Sequence, residues 1–226
     1  MKNLLITTIG DYNHSGTWKN GDCEYDIVLI DYRVTSTFKY PGIYKHLKDN
    51  PDLLDYDYFW MPDEDVLLFP CHINELFGKM AQLNLDLAQP SIEKSKESFP
   101  SWDIFTHRAG LDVVYSNFIE ITCPCFSKKG LMACIESFPK SKSGWGLDLV
   151  WPKLIGNNGD NMAIINCIIA KHTRKVRGGE LYGKLRELRI LSSVERKKLM
   201  REYGIASIDI KTHDNCTHSQ PARQGR

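Results

Sequence analysis

Short apolar runs, separated by polar stretches rich in glycine, set the pattern of this chain. Residues 4–9 (Leu-Leu-Ile-Thr-Thr-Ile) and 27–30 (Ile-Val-Leu-Ile) are too short for helices and rich in β-branched side chains. They predict two buried strands, and the aromatic run Tyr58-Phe59-Trp60-Met61 predicts a third. Polar residues follow each run at once: Gly10-Asp11, then Asp31-Tyr32, then Pro62-Asp63-Glu64-Asp65. Polar clusters just past strand ends are what an open α/β sheet with a ligand edge needs. Trp18 closes the loop after the first strand. Between the runs the period changes. Ile43 and Leu47 stand four apart, and Ile73, Leu76, Phe77, Met80, Ala81 and Leu83 recur at helical spacing.

The second half reads the same way. Residues 85–89 predict a short strand that Pro90-Ser91 turns, and residues 91–102, mixed in Lys, Glu, Ser and Pro, predict a flexible excursion over the surface. Residues 113–115 and 118–122 predict paired strands. Ser127 caps a helix carrying Leu131, Met132 and Ile135, and Gly144-Trp145-Gly146-Leu147-Asp148 opens a short helix towards Trp151. Residues 162–170 predict a last buried strand, with His172 just beyond it. The expectation is one α/β domain over residues 1–175, with a mixed, mostly parallel sheet flanked by helices. Residues 176–205 predict a basic helical extension. Arg177, Lys184, Arg186 and Arg189, with Lys175 just before them, accompany Leu181, Leu185 and Leu188, and Ser192 with Glu195 has capping-box spacing. Residues 206–226 are polar and predict a disordered tail.

Composition adds little beyond exclusions. At 226 residues with 42% hydrophobic and 25% charged side chains, one large soluble domain is expected. Lys and Arg number 29 against 28 Asp and Glu, so net charge argues neither for nor against a nucleic-acid partner. No apolar run reaches the roughly 20 residues of a membrane span, and the amino terminus reads as a first strand rather than a signal peptide. Seven scattered cysteines without a Cys-x-x-Cys pair predict neither a disulfide framework nor a zinc site, and fit reduced thiols in the cytoplasm.

The candidate chemistry lies at the acidic hinge. Asp63, Glu64 and Asp65 end an aromatic strand, and three adjacent carboxylates repel one another unless a cation sits among them. Oxygen ligands of this kind suit Mg²⁺ or Mn²⁺. A solvated acidic turn cornered by Pro62 is the plainer alternative.

Four stretches then align with a family. They are Gly10-Asp11 with Trp18; Pro41-Gly42 through Asp57-Tyr58-Phe59-Trp60-Met61-Pro62-Asp63-Glu64-Asp65; Gln89-Pro90-Ser91 with Phe118-Ile119-Glu120; and Gly144-Trp145-Gly146-Leu147-Asp148 followed by His172. On these the chain resembles the DUF707-type proteins, which look like glycosyltransferases of the GT-A fold. The resemblance spans roughly residues 1–175. It implies a nucleotide-sugar donor and a divalent ion, Mn²⁺ or Mg²⁺, held by Asp63 or Asp65, chiefly Asp65, with His172 as a further ligand.

Glycosyl transfer assigns the remaining expectations. Asp148 is the candidate general base, since Gly144 and Gly146 let backbone approach a ligand. A base there implies inversion at the anomeric carbon. Asp148 reads also as a helix cap. Trp145 offers a sugar a flat face and, with Gly146 and Glu120, forms the expected acceptor side. The donor side is expected from Thr8, Gly10, Asp11, Asp31, Tyr32, Lys39, Asp63 and Glu64. The acceptor is a glycan or another hydroxyl-bearing compound. The basic helices would fit a lipid-linked or polyanionic one and a peripheral place at a membrane surface, or form an ordinary solvated face. The competing functions are a silent glycan- or nucleotide-binding module and a metal-dependent nucleotidyltransferase or phosphohydrolase.

Overall fold

Among the described residues nine strands form the framework: β1 (Asn3–Ile9), β2 (Asp26–Asp31), β3 (Tyr58–Trp60), β4 (Val66–Leu67), β5 (Leu87–Ile92), β6 (Val113–Ser116), β7 (Cys125–Ser127), β8 (Met162–His172) and β9 (Thr212–Asp214). The helices are α1 (Ser15–Trp18), α2 (Tyr32–Thr35), α3 (Lys39–Asp49), α4 (Pro70–Gln82), α5 (Lys128–Cys134), α6 (Leu147–Ile155), α7 (Glu180–Glu187) and α8 (Ser192–Glu202). This computed structural model describes residues 1–175 and 178–214.

The strand order is β2-β1-β3-β7-β5-β8-β6-β9, with β4 paired to β8 off this path. The α/β class expected from the sequence is what forms, but the sheet is mixed and mostly antiparallel, not mostly parallel. Only β1–β2, β1–β3 and β5–β8 run parallel among the described pairs. β7 supplies two of the antiparallel pairs: it enters between β3 and β5 from a preceding buried loop, without a crossover helix, and runs antiparallel to both. The pairs β4–β8, β6–β8 and β6–β9 supply the others.

Two local readings change for related reasons. Pro90 does not turn the chain. β5 continues through Pro90 and Ser91 because its register with β8 shifts there, from Pro90 opposite Ile165 to Ser91 opposite Ile169. A residue without an N–H is tolerated at such an irregularity, and the Ser91 hydroxyl lies within bonding distance of the freed carbonyls of Asn166 (3.1 Å) and Ile168 (3.0 Å). Residues 118–122 are not a strand either; β6 pairs with β8 and β9 instead.

The core is aromatic. Phe126, Phe138 and Trp151 pack with ring centroids 5.0–6.0 Å apart beneath α3, and Trp18 meets Trp60 edge-on at 6.0 Å. The Trp18 indole donates to the Val66 carbonyl at 3.1 Å, so the first loop is tied to the strand after the acidic hinge. Ser127 caps α5 as expected, accepting from the Gly130 N–H at 3.0 Å.

The carboxy-terminal segments do not sit apart from the body. Leu185 and Leu199 are buried, and α8 packs on α6. Ser192 is inside α8 and caps nothing. Glu195 instead reaches out of the helix and accepts the N–H groups of Lys142 and Ser143, both at 2.9 Å. The tail expected to be disordered contains β9, which pairs with β6. The rest of that tail, residues 215–226, and Arg177 lie outside the described residues.

A candidate metal centre and its cleft

The acidic hinge is fixed by backbone before any side chain acts. The Met61 N–H donates to the Pro124 carbonyl (2.8 Å) and the Asp63 N–H to Thr122 (2.6 Å), while the Thr7 hydroxyl donates to the Pro62 carbonyl (2.5 Å). Beyond the hinge β4 forms and pairs antiparallel with β8, Val66 opposite His172. That register carries Asp65 to the end of β8, where the Thr173 N–H and hydroxyl both donate to the Asp65 carbonyl at 2.9 Å.

Asp63, Asp65 and His172 thereby converge. One ligand atom from each lies within 4.8 Å of the others. Asp65 and His172 are buried, with His172 Nε2 3.4 Å from Asp65 Oδ1. His172 Nδ1 lies 2.8 Å from the Phe99 carbonyl, an acceptor only, so Nδ1 carries a hydrogen and Nε2 faces the carboxylates. Ser98 and Phe99, inside the stretch 91–102 read as a flexible excursion, hold this histidine. Ser98 Oγ accepts the His172 N–H at 3.1 Å, and the Phe99 N–H returns to the His172 carbonyl at 2.9 Å.

These residues fit a hard divalent ion. Asp65 Oδ1 is buried and accepts no hydrogen bond. Two carboxylates and an imidazole nitrogen are a donor set for Mn²⁺ or Mg²⁺. Without the ion, cations cover the charge. Lys39 Nζ donates to Asp63 Oδ1 at 2.7 Å and to the Ile121 carbonyl at 2.8 Å. Arg174 lies 3.3 Å from Glu64 and 3.9 Å from Asp65. Burial lowers the His172 pKa, but the Asp65 carboxylate beside it outweighs burial and raises it to about 9. Burial raises the Asp63 pKa against the pull of Lys39.

A cleft of about 890 Å³ opens over this cluster, at the upper end of small-molecule sites. Glu120 and Asp148, both buried, line the same cleft, and Glu120 is near enough to His172 and Asp63 to feel their charge. Burial pushes both carboxyls up to about 7, and Glu120 adds to the rise at Asp148. Asp148 is not the cap of α6, whose cap position is Gly146; it stands in the first turn, accepts the Leu149 N–H at 3.0 Å and lines the cleft. Trp145 and Gly146 line it too.

The donor candidates separate into two groups. Thr8, Tyr32, Lys39, Asp63 and Glu64 line the cleft. Gly10, Asp11 and Asp31 are not among its lining residues. Asp31 caps α2 and, with exposed Asp11, pairs with Arg33. Gly10 makes room for Tyr32, since a Cβ there would stand 1.9 Å from the tyrosine oxygen. The Tyr32 hydroxyl lies 2.7 Å from Glu180 and 3.1 Å from Glu64, and Glu64 accepts the Gly10 N–H. Burial raises Glu64 to about 7.

Sequence reading missed three parts of this cleft: Ser101 and Trp102, Arg174, and the inner faces of α7 and α8, including Lys184 and Arg196. No short-range pattern announces them, because long-range packing brings them there. Among the described residues no helix is long and apolar enough to cross a membrane.

No family model matches the sequence, and no curated protein does. Among solved structures the chain is similar to A197 from STIV, at 14% identity and a TM-score of 0.43, covering 76% of this chain and 85% of that one. A likeness of that strength carries no argument about fold detail or activity.

Proposed function

We propose that the protein is a metal-dependent glycosyltransferase of the GT-A type, taking its sugar from a nucleotide-sugar donor and passing it to an acceptor hydroxyl. The observation that carries this reading is one cleft that brings together the Asp63–Asp65–His172 cluster and two carboxyls raised to about 7. The DUF707-type resemblance supports the same reading.

Asp65 and His172 would hold Mn²⁺ or Mg²⁺, and Asp63, steadied by Lys39, would complete the set or touch the donor. When bound, the ion stabilises negative charge on the departing diphosphate as a Lewis acid. The chain's own residues do the rest. Asp148 accepts the proton of the attacking hydroxyl at its carboxylate, and a pKa near 7 suits a base working at neutral pH. Glu120 helps keep that pKa high. Trp145 carries the acceptor ring, while Thr8 and Tyr32 line the donor side. Attack from the Asp148 side implies inversion. A two-metal nucleotidyltransferase or phosphohydrolase would need a further carboxylate cluster. Among the described residues the Asp63–Asp65–His172 group is the one such cluster.

The test is Mn²⁺-dependent turnover of a panel of nucleotide sugars. Asp65→Asn should lower it by roughly 100-fold or more through loss of a ligand. Asp148→Asn should leave Mn²⁺ binding intact and slow transfer by about 10²–10⁴-fold. Turnover unchanged in Asp65→Asn, or glycan binding without turnover of any donor, would contradict the reading.

A further inference from the structure

The cations of the cleft are not equivalent. Arg33, Lys39 and Arg174 are each committed to carboxylates. Arg196 and Lys142 are not: their side chains make no hydrogen bond or ion pair with a described residue, although both line the cleft. Arg196 Nε is buried and without a hydrogen-bond partner. A guanidinium N–H withdrawn from water and left unpaired is costly, which marks a place where an acceptor of hydrogen bonds belongs.

Three contacts fix these two cations beside the stretch that leads into Asp148. Glu195 of α8 binds the N–H of Lys142, so Lys142 and Arg196 stand on either side of one clasp. Gly146, at φ +94°, lets α8 approach so closely that a Cβ there would lie 2.9 Å from Arg196 Cα. The Arg196 guanidinium lies 5.8 Å from the centre of the Trp145 ring. Asp148 follows two residues after Gly146. A molecule lying on Trp145 with a hydroxyl at Asp148 therefore has Arg196 and Lys142 at its flank.

We infer that the acceptor is an anionic hydroxyl compound, a sugar bearing a phosphate or a carboxylate, and that Arg196 and Lys142 bind its charged group. Guanidinium geometry matches both oxyanions. The inference rests on the proposed transferase reading for the word acceptor, but not for the binding site itself.

The experiment separates the two. The full-length protein, in EDTA, is titrated with glucose 6-phosphate, glucuronate and glucose, following the Trp145 indole N–H resonance, assigned through Trp145→Phe. At least one anionic sugar should bind tenfold or more tighter than glucose, and the stronger of the two assigns the group. Arg196→Gln should abolish that advantage, Arg196→Lys should keep part of it, and Lys142→Gln should reduce it. Added Mn²⁺ with nucleoside diphosphates should leave the anionic sugar bound. The inference is overturned if glucose binds as well as both anions, if Arg196→Gln binds like wild type, or if nucleoside diphosphate displaces the sugar, which would place the anion site on the donor side. No metal or turnover enters the EDTA titration, so failure of the transferase reading would leave its result standing.

Discussion

His172 and Asp148 show how a neighbouring charge at one and burial at the other give ordinary side chains unusual chemistry. In the ion-free protein the His172 pKa is raised to about 9 by Asp65, so below that pH the imidazole is protonated and cannot ligate. A metal must displace that proton. Mn²⁺ affinity, measured by calorimetric titration, should therefore rise about tenfold per pH unit up to roughly pH 9 and then level off. A flat profile from pH 6.5 to 8.5 would mean that the imidazole is not a ligand. Asp148 works in the opposite direction of use. Its pKa is raised to about 7, and a base must be ionised, so kcat/KM for transfer should climb with pH through about 7. Glu120→Gln removes the neighbouring charge and should move that limb to lower pH, which a pH–rate profile would read directly.

At the scale of elements, glycines separate close contacts from open space. Gly10→Ala drives a methyl into the Tyr32 ring, breaking the clasp through which Tyr32 and the Gly10 N–H hold Glu64. Chemical denaturation should report a loss of about 1–3 kcal/mol. Gly16→Ala, with nothing within 4 Å of its new methyl, should stay within about 0.5 kcal/mol or gain slightly. Equal effects at both would undo the account of the clasp. The first three strands and α3, α4 and α5 were legible because each reports its burial through a local period or a cap. The strand expected at residues 118–122 was not. Phe118 and Ile119 are buried, yet the segment is a cleft floor whose carbonyls serve Lys39, Tyr40 and Asp63 rather than a ladder. Sequence period reports burial, and burial alone does not distinguish a strand from a satisfied loop.

Across the whole molecule, the site is assembled from both ends of the chain. The acidic hinge follows β3, the histidine ends β8, and the register of a two-residue strand, β4, joins them. The acidic hinge could be read from sequence because its carboxylates are adjacent. Its meeting with His172 followed from a family likeness rather than from spacing, since more than a hundred residues intervene. The basic helices could be read from sequence as an extension because their charge is visible, but the packing of α8 against α6 that brings Arg196 to the cleft could not. The central claim is that Asp63, Asp65 and His172 together hold a divalent ion at the floor of this cleft. Anomalous diffraction at the manganese edge, from crystals soaked with Mn²⁺ and nucleoside diphosphates, tests it most directly. A single strong peak within bonding distance of Asp65 and His172 is expected. Crystals with the cleft open to solvent and no peak there, or a peak bound elsewhere, would contradict it.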